Sequence, residues 1–307
     1  MQDGILNHLL AVVICTYALT SGLSAQVWDP AEHLSAHWEA VTATTRLYNP
    51  PAGSERDRST RRWIFVDGGI DVIDANGLVG VDMRERSFMV LDQEGAEVYS
   101  ATREVAGVYS YRAPDTMDMG IGFGIPPFWF SLATPVDPNQ GCPSSLSRIE
   151  WSVGVLVADN FQVVDVPFEP NDNWVELVPG LEIQVEQASV EEGRCEYRIQ
   201  AMYSEEVVSY LTSHSWYFRA DKALPDVVVA RMDLLNAAGQ SVRDLGSGTF
   251  RNNTTTRTED GLTVATGTGY GRCDTCGEVT TIRYALALAP YERQARFVLE
   301  DIPVPGF

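Results

Sequence analysis

The sequence is poor in histidine and in positive charge. Its 307 residues include four histidines, and 22 Lys and Arg residues stand against 42 Asp and Glu residues, which gives a formal net charge of −20. Nucleic acids and anionic lipids attract cationic surfaces, so this balance argues against both as partners. No Ser-His-Asp triad can be assembled from the spacing, and neither G-x-S-x-G nor H-E-x-x-H occurs. Acidic residues are too abundant for a pair of catalytic carboxylates to be singled out.

Long apolar runs are absent after residue 25. The first 25 residues contain a short apolar core, Leu9–Cys15, followed by the small-residue pattern Leu23-Ser24-Ala25. This arrangement is typical of a secretory signal peptide cleaved before Gln26, although Met1–Gly4 lacks Lys and Arg, which leaves an uncleaved anchor as the alternative. We therefore predict a signal peptide over residues 1–25 and a protein that is secreted, periplasmic or displayed on the cell surface. No later segment approaches the length needed to span a bilayer, so we expect no membrane span after cleavage.

Cysteine is also scarce. Four of the five cysteines follow the predicted cleavage site, and an even number in an exported protein favours two disulfides. Cys273 and Cys276 are close enough to form a small loop, which would leave Cys142 to pair with Cys195 and link the two halves of the chain. Spacing alone leaves the other pairings open. A redox-active C-x-x-C pair and a zinc site that gathers all four thiols are the alternatives.

The two halves of the chain resemble each other. They carry the same short segments in the same order, which indicates an ancient duplication. Duplicated units are usually spacers or binding modules, so the similarity says more about architecture than about activity. The matching segments are Leu91–Val98 with Leu235–Val242, Gly120–Gly124 with Gly267–Gly271, Cys142 with Cys276, Ile149–Trp151 with Ile282–Tyr284, and Asp165–Pro167 with Asp301–Pro303.

Alternation of apolar and polar residues predicts strands. Every second residue of Leu181–Glu186 and of Cys195–Tyr203 is apolar, which is the pattern of a half-buried strand. Short strands separated by turn signals are typical of antiparallel sandwiches. We predict an all-β protein with two tandem antiparallel β-sandwich domains of immunoglobulin-like strand pattern. The first domain covers residues 26–170 and the second covers residues 171–307.

One short helix is expected near the start of the first domain. Asp29 can cap it, Pro30 suits its first position, and Ala31–Ala40 contains good helix formers. His33 and His37 would then share one helix face. Because no third metal ligand is evident, we interpret this pair as part of a solvated face and not as a zinc site.

The segment Ile125–Phe130 interrupts the similarity between the halves and is rich in aromatic side chains. One explanation is a hydrophobic hot spot that binds a protein or a glycan. The other is that the rings seal the contact between the domains or form an extra edge strand. The candidate binding residues are Phe123, Phe128, Trp129 and Phe130.

Three aspartates form a weak candidate metal site. Asp67, Asp71 and Asp74 lie close in sequence, and carboxylates hold Ca²⁺ in extracellular modules. The alternation of an EF-hand loop is absent, however, and the neighbouring Asp-Gly and Asn-Gly pairs are ordinary turn signals. We therefore expect no cofactor, with Ca²⁺ as the one ion that these residues could hold.

These observations favour an exported, non-catalytic structural or binding module whose partner is an unidentified protein or glycan. The alternative is a secreted hydrolase that acts on glycans through an acidic cleft between the domains.

Overall fold

The protein is built almost entirely of β-strands. A computed structural model describes residues 28–48, 59–102, 108–112, 128–137, 143–191, 194–204, 207–208, 215–219, 224–242, 251–259, 262–272 and 278–305. The all-β class predicted from the sequence is confirmed for these residues, while the predicted signal peptide over residues 1–25 lies outside them. No helix in the described ranges is long and apolar enough to cross a membrane. The elements are α1 (Pro30–His33), β1 (Leu34–Tyr48), β2 (Ser59–Val72), β3 (Leu78–Asp92), β4 (Glu97–Thr102), β5 (Val108–Arg112), β6 (Phe128–Val136), β7 (Ser145–Val157), β8 (Asn160–Pro167), β9 (Val175–Val178), β10 (Leu181–Glu191), β11 (Arg194–Tyr203), β12 (Val207–Val208), β13 (Ser215–Arg219), β14 (Val227–Asn236), β15 (Arg251–Glu259), β16 (Leu262–Arg272), β17 (Val279–Leu288) and β18 (Tyr291–Pro303).

The strands form four sheets, which we name A to D. Sheet A has the order β1-β2-β6, and sheet B has the order β13-β5-β3-β7-β18, with β4 paired to β3. Sheet C has the order β12-β14-β17-β8, and sheet D has the order β15-β16-β11-β10-β9. All the pairs are antiparallel except the short pair β12–β14.

Sheets A and B enclose the first core. Inward and outward residues alternate along β2, so Ile64 and Val66 are fully buried. Strand β7 is instead buried on both sides from Ile149 to Val157, because its other side faces sheet C. Trp151 lies at the centre of this core, with ring centroids 4.9 Å from Phe130 and 5.2 Å from Phe297. The two sheets therefore form a sandwich, which we call the first sandwich.

Sheets C and D enclose the second core. Tyr284 of β17 is fully buried there, and so is Ile183 of β10. A third, smaller apolar cluster joins Val79 and Leu156 of sheet B to Val228 and Ala287 of sheet C. Sheets B and C therefore contact each other through small apolar side chains.

The last strand of each half pairs with the other half. Strand β8 follows β7 in the chain but pairs with β17 in sheet C, with Val166 opposite Ile282. Strand β18 follows β17 but pairs with β7 in sheet B, with Phe297 opposite Trp151. Strand β13 also lies in sheet B, paired with β5. Strand pairing thus crosses the predicted boundary between residues 170 and 171 in both directions.

The helix is shorter than the sequence predicts. The Oδ1 atom of Asp29 accepts a hydrogen bond from the Ala31 N–H at 3.0 Å, and Pro30 occupies the first turn as expected. The helix ends after His33, because Leu34 is extended and its buried side chain begins the alternation of β1. The interpretation of His33 and His37 as neighbours on one helix face is therefore wrong, since His37 lies in a strand. Pairing with β2 outweighs the helix propensity of this segment.

The matching segments Leu91–Val98 and Leu235–Val242 contain turns at Asp92 and Asn236 that agree in detail. The Oδ1 atom of Asp92 accepts hydrogen bonds from the backbone N–H groups two and four residues further on, and the Oδ1 atom of Asn236 does the same. Each turn also contains a glycine with positive φ, 78° at Gly95 and 76° at Gly239. The two halves therefore use one turn geometry at corresponding places in β3 and β14.

Candidate functional site

The candidate site is the outer face of sheet A, on the side opposite the first core. Three strands contribute one row of side chains across it, because Gly69 of β2 lies opposite both His37 of β1 and Trp129 of β6. Trp129 is 52% exposed, an unusual value for so large an apolar side chain. Gly69 has no side chain and is itself buried. Neighbouring strands lie about 4.8 Å apart, so the backbones of His37 and Trp129 are about 10 Å apart.

A second aromatic group lies further along the same face. Trp63 and Phe65 of β2 alternate with the buried Ile64 and Val66, which places their half-buried rings on the outer side. Their ring centroids are 6.4 Å apart, and the planes differ by 30°. Neither ring belongs to an apolar cluster of the described residues, and the same holds for Trp129. We call the three rings of Trp63, Phe65 and Trp129 the aromatic platform.

Acidic and hydroxyl groups lie between and beside the rings. Asp67 of β2 is opposite Ser131 of β6, in the row between Phe65 and Gly69. No hydrogen bond or ion pair among the described residues involves the Asp67 carboxylate, which is half-buried. Two neutral aromatic regions are thus separated by one hydroxyl and by one carboxylate that has no partner among the described residues.

His37 is held by two carboxylates. Its Nδ1 atom lies 2.8 Å from Asp71 Oδ2, and its Nε2 atom lies 3.2 Å from Glu39 Oε1. A neutral imidazole has one N–H group and can donate only once, whereas the imidazolium donates to both oxygens. The hydrogen bond to Glu39, supported by Asp71, therefore raises the pKa of His37 above its ordinary value. The charges at this end of the face partly neutralise each other.

The structure separates the predicted aromatic binding residues. Phe128 is 4% exposed in the first core, and the half-buried Phe130 packs against the same core. Trp129 points to the opposite side, and Phe123 lies outside the described residues. The segment Phe128–Val136 is an edge strand of sheet A, so strand alternation, and not a loop insertion, determines which ring is exposed.

The predicted calcium ligands do not converge. Asp67 and Asp71 are four residues apart on an extended strand, a separation of about 13 Å, whereas oxygen ligands of one Ca²⁺ lie within a few ångströms of each other. Asp71 is bound by His37, and Asp74 Oδ1 accepts a hydrogen bond from the Asn76 N–H at 2.9 Å. In the part of the chain that the structure describes, no three His, Cys, Asp or Glu residues are placed to hold a metal ion.

Cys195 is a free thiol in the described part of the chain. Its side chain is 5% exposed and points into the second core, and burial raises its pKa to about 12. Cys195 forms no disulfide in the described part of the chain, so the predicted bridge from Cys142 to Cys195 is not seen. Cys142, Cys273 and Cys276 lie outside the described residues.

A second polar cluster lies on the outer face of sheet B. Asp82 is fully buried and accepts hydrogen bonds from the Arg84 side chain, while Arg86 contacts both Asp82 and Glu292. The cluster occupies a bulge of β3 between Asp82 and Ser87. Its charges pair with one another, so it is a structural ion-pair network and a weaker candidate for ligand binding than sheet A.

Comparison of the chain with known proteins identifies no family. No protein-family model matches the chain, and no curated protein is significantly similar to it. The candidate site therefore depends on the geometry of sheet A alone.

Trp63 and Phe65 are not among the binding residues predicted from the sequence. The signal was present, since the four consecutive residues Trp63–Val66 are all apolar and give the strand no polar side. An antiparallel strand that is apolar on both sides indicates a covered or a binding outer face.

Proposed function

We propose that this protein is an exported, non-catalytic module that binds glycans on the outer face of sheet A. The observation that carries this proposal is the row of His37, Gly69 and Trp129, in which an exposed indole lies in line with a histidine held by two carboxylates. Aromatic rings have a negative face that attracts the weakly positive C–H groups of a sugar ring. Carboxylate and hydroxyl oxygens accept hydrogen bonds from the sugar hydroxyl groups.

The path of the chain joins the second sandwich to the first at two places. Helix α1 and strand β18 contact each other beside the first sandwich. The second sandwich is connected between β7 and β18 of the first, which suits a module that presents a surface.

We further propose that the chain arose by duplication of an immunoglobulin-like sandwich. Support comes from the sheet orders, because β1-β2-β6 in sheet A corresponds to β10-β11-β16 in sheet D, and β3-β7-β18 in sheet B corresponds to β14-β17-β8 in sheet C. Bulges fall at matching places, between Asp82 and Ser87 in β3 and between Val229 and Arg231 in β14. Export, with residues 1–25 as the signal, completes the proposal.

The test is retention on insoluble polysaccharides. The purified protein is incubated with cellulose, chitin and xylan, and we expect the bound fraction to fall with Trp129→Ala while the melting temperature changes little. Trp174→Ala is the matched control, since Trp174 is also an exposed indole, at 36%, and lies in the second sandwich just before β9.

Two outcomes would contradict the proposal. Equal retention of wild type, Trp129→Ala and Trp174→Ala would mean that the platform does not bind the glycan. Release of reducing sugar from the bound polysaccharide would instead support the predicted alternative, a hydrolase.

A further inference from the structure

We infer that the ligand is an extended chain of hexoses without carboxylate or sulfate groups, lying along β2 from Trp129 to Trp63. This inference rests on the proposed function and names the ligand class of the same site. Three features of the outer face of sheet A carry it, namely the spacing of the rings, the unpartnered carboxylate between them, and the sign of the surrounding charge.

The spacing of the rings requires a ligand longer than one sugar. Trp129 lies in the row of Gly69, which is four residues along β2 from Phe65 and six from Trp63. At about 3.4 Å per residue these separations are about 13 Å and about 20 Å. A monosaccharide that stacks on Trp129 cannot reach Phe65. An extended oligosaccharide that runs parallel to β2 contacts both aromatic regions at once.

The residues between the rings suit the hydroxyl edge of such a chain. Asp67 and Ser131 lie opposite each other midway between Phe65 and the Gly69 row. The half-buried Asp67 carboxylate has no hydrogen-bond partner among the described residues, so its oxygens can accept from two neighbouring hydroxyl groups. A flat, β-linked chain with equatorial hydroxyl groups presents C–H faces to the rings and hydroxyl groups to Asp67.

The negative charge around Asp67 and His37 opposes the binding of acidic glycans at that part of the face. Asp67 contributes one negative charge, Glu39 and Asp71 contribute two against the single charge of a protonated His37, and the whole protein carries −20. Uronates and sulfated sugars would be repelled, and so would a second copy of this chain. Neutral hexoses and amino sugars remain, and they share the same stacking and hydroxyl chemistry.

The experiment measures affinity against chain length with the full-length protein. Cello-oligosaccharides and chito-oligosaccharides of one to six units are titrated calorimetrically, with oligogalacturonates as the acidic probe. We expect no measurable binding of the monosaccharide, a gain of roughly tenfold between disaccharide and tetrasaccharide as the second aromatic region is reached, and no gain beyond hexasaccharide. The oligogalacturonates should not bind.

Variants test the two ends of the platform separately. Phe65→Ala should lower the affinity for the hexasaccharide by roughly tenfold and leave the affinity for the disaccharide unchanged, whereas Trp129→Ala should lower both. Asp67→Asn, which keeps the shape and removes the charge, should weaken binding of both neutral and amino sugars. Trp174→Ala is again the control, and melting temperatures establish that each variant is folded.

The outcomes separate this inference from the proposed function. Binding that is independent of chain length, or a preference for oligogalacturonates, overturns the extended, non-acidic ligand while leaving a glycan-binding function intact. Absence of binding to every polysaccharide and oligosaccharide overturns both.

Discussion

Substitution of Phe297 by alanine is expected to loosen the first sandwich, although this residue lies near the end of the chain. Phe297 is 6% exposed, lies opposite Trp151 in sheet B, and has its ring centroid 5.2 Å from the indole. Removal of a buried phenyl ring costs about 3–5 kcal/mol, and loss of an aromatic pair accounts for about 0.5–1.5 kcal/mol of such a value. The free energy of unfolding of a domain is about 5–15 kcal/mol, so the cost of Phe297→Ala is a large fraction of the stability.

The reciprocal strand offers a matched substitution. Val166 of β8 is 1% exposed and lies opposite Ile282 in sheet C, so it belongs to the second core despite its early position in the sequence. Val166→Ala removes two buried methyl groups' worth of apolar contact and should cost about 2 kcal/mol.

Hydrogen exchange followed by mass spectrometry distinguishes the two effects, because it reports local opening strand by strand. Phe297→Ala should accelerate amide exchange in β3 and β7 while β14 and β17 stay protected. Val166→Ala should accelerate amide exchange in β14 and β17 while β3 and β7 stay protected. If Phe297→Ala instead accelerated exchange in β14 and β17 and left β7 unchanged, the strand exchange between the halves would be refuted.

Three further predictions concern single residues. The Cys195 thiol, with its pKa raised to about 12 by burial, should not react with Ellman's reagent at pH 8 in the folded protein, and rapid reaction would contradict its place in the core. Gly95→Ala and Gly239→Ala should each lower the free energy of unfolding, measured by chemical denaturation, by about 1–2 kcal/mol. Both glycines have positive φ, and a Cβ atom added at either would meet nothing within 4 Å, so backbone strain alone sets the cost. Clearly unequal costs would contradict a common turn geometry. The pKa of His37 is raised by Glu39 and a second carboxylate, so its ion pairs should stabilise the fold fully below the unfolded-state pKa of about 6.5 and lose this effect as the pH rises through the raised value. His37→Gln should flatten the stability profile in that window, and an unchanged profile would exclude the imidazolium.

The strands and turns were largely predictable because they depend on local patterns. Alternation of buried and exposed positions in Leu181–Glu186 and Cys195–Tyr203 led directly to β10 and β11, and the turns at Asp92 and Asn236 follow from Asx side chains followed by glycine. The prediction of a helix over Ala31–Ala40 was wrong, because helix propensity is weak compared with the pairing of β1 with β2.

The site was predictable only in part. The aromatic composition of its segment marked Trp129 as a candidate, but the sequence alone does not distinguish it from its core-facing neighbours Phe128 and Phe130. Which of the three rings is exposed depends on how β6 pairs at the edge of sheet A. The row that joins His37, Gly69 and Trp129 depends on the register of three strands. Register between strands distant in sequence is set by packing and leaves no local signature.

The order of the sheets determines which surfaces the second sandwich can cover. One face of sheet B packs against sheet A and the other contacts sheet C through Val79 and Leu156, so the layers run A, B, C, D. The outer face of sheet A therefore points away from the second sandwich, and that sandwich does not cover the aromatic platform. Because β8 and β18 are exchanged, backbone hydrogen bonds within each sandwich join the two halves of the chain, whereas the sandwiches contact each other through the small apolar cluster. Leu156→Ala in that cluster should therefore reduce the thermal stability of the protein and leave the affinity for an oligosaccharide unchanged, whereas a parallel loss of affinity would mean that the ligand contacts the junction between the sandwiches.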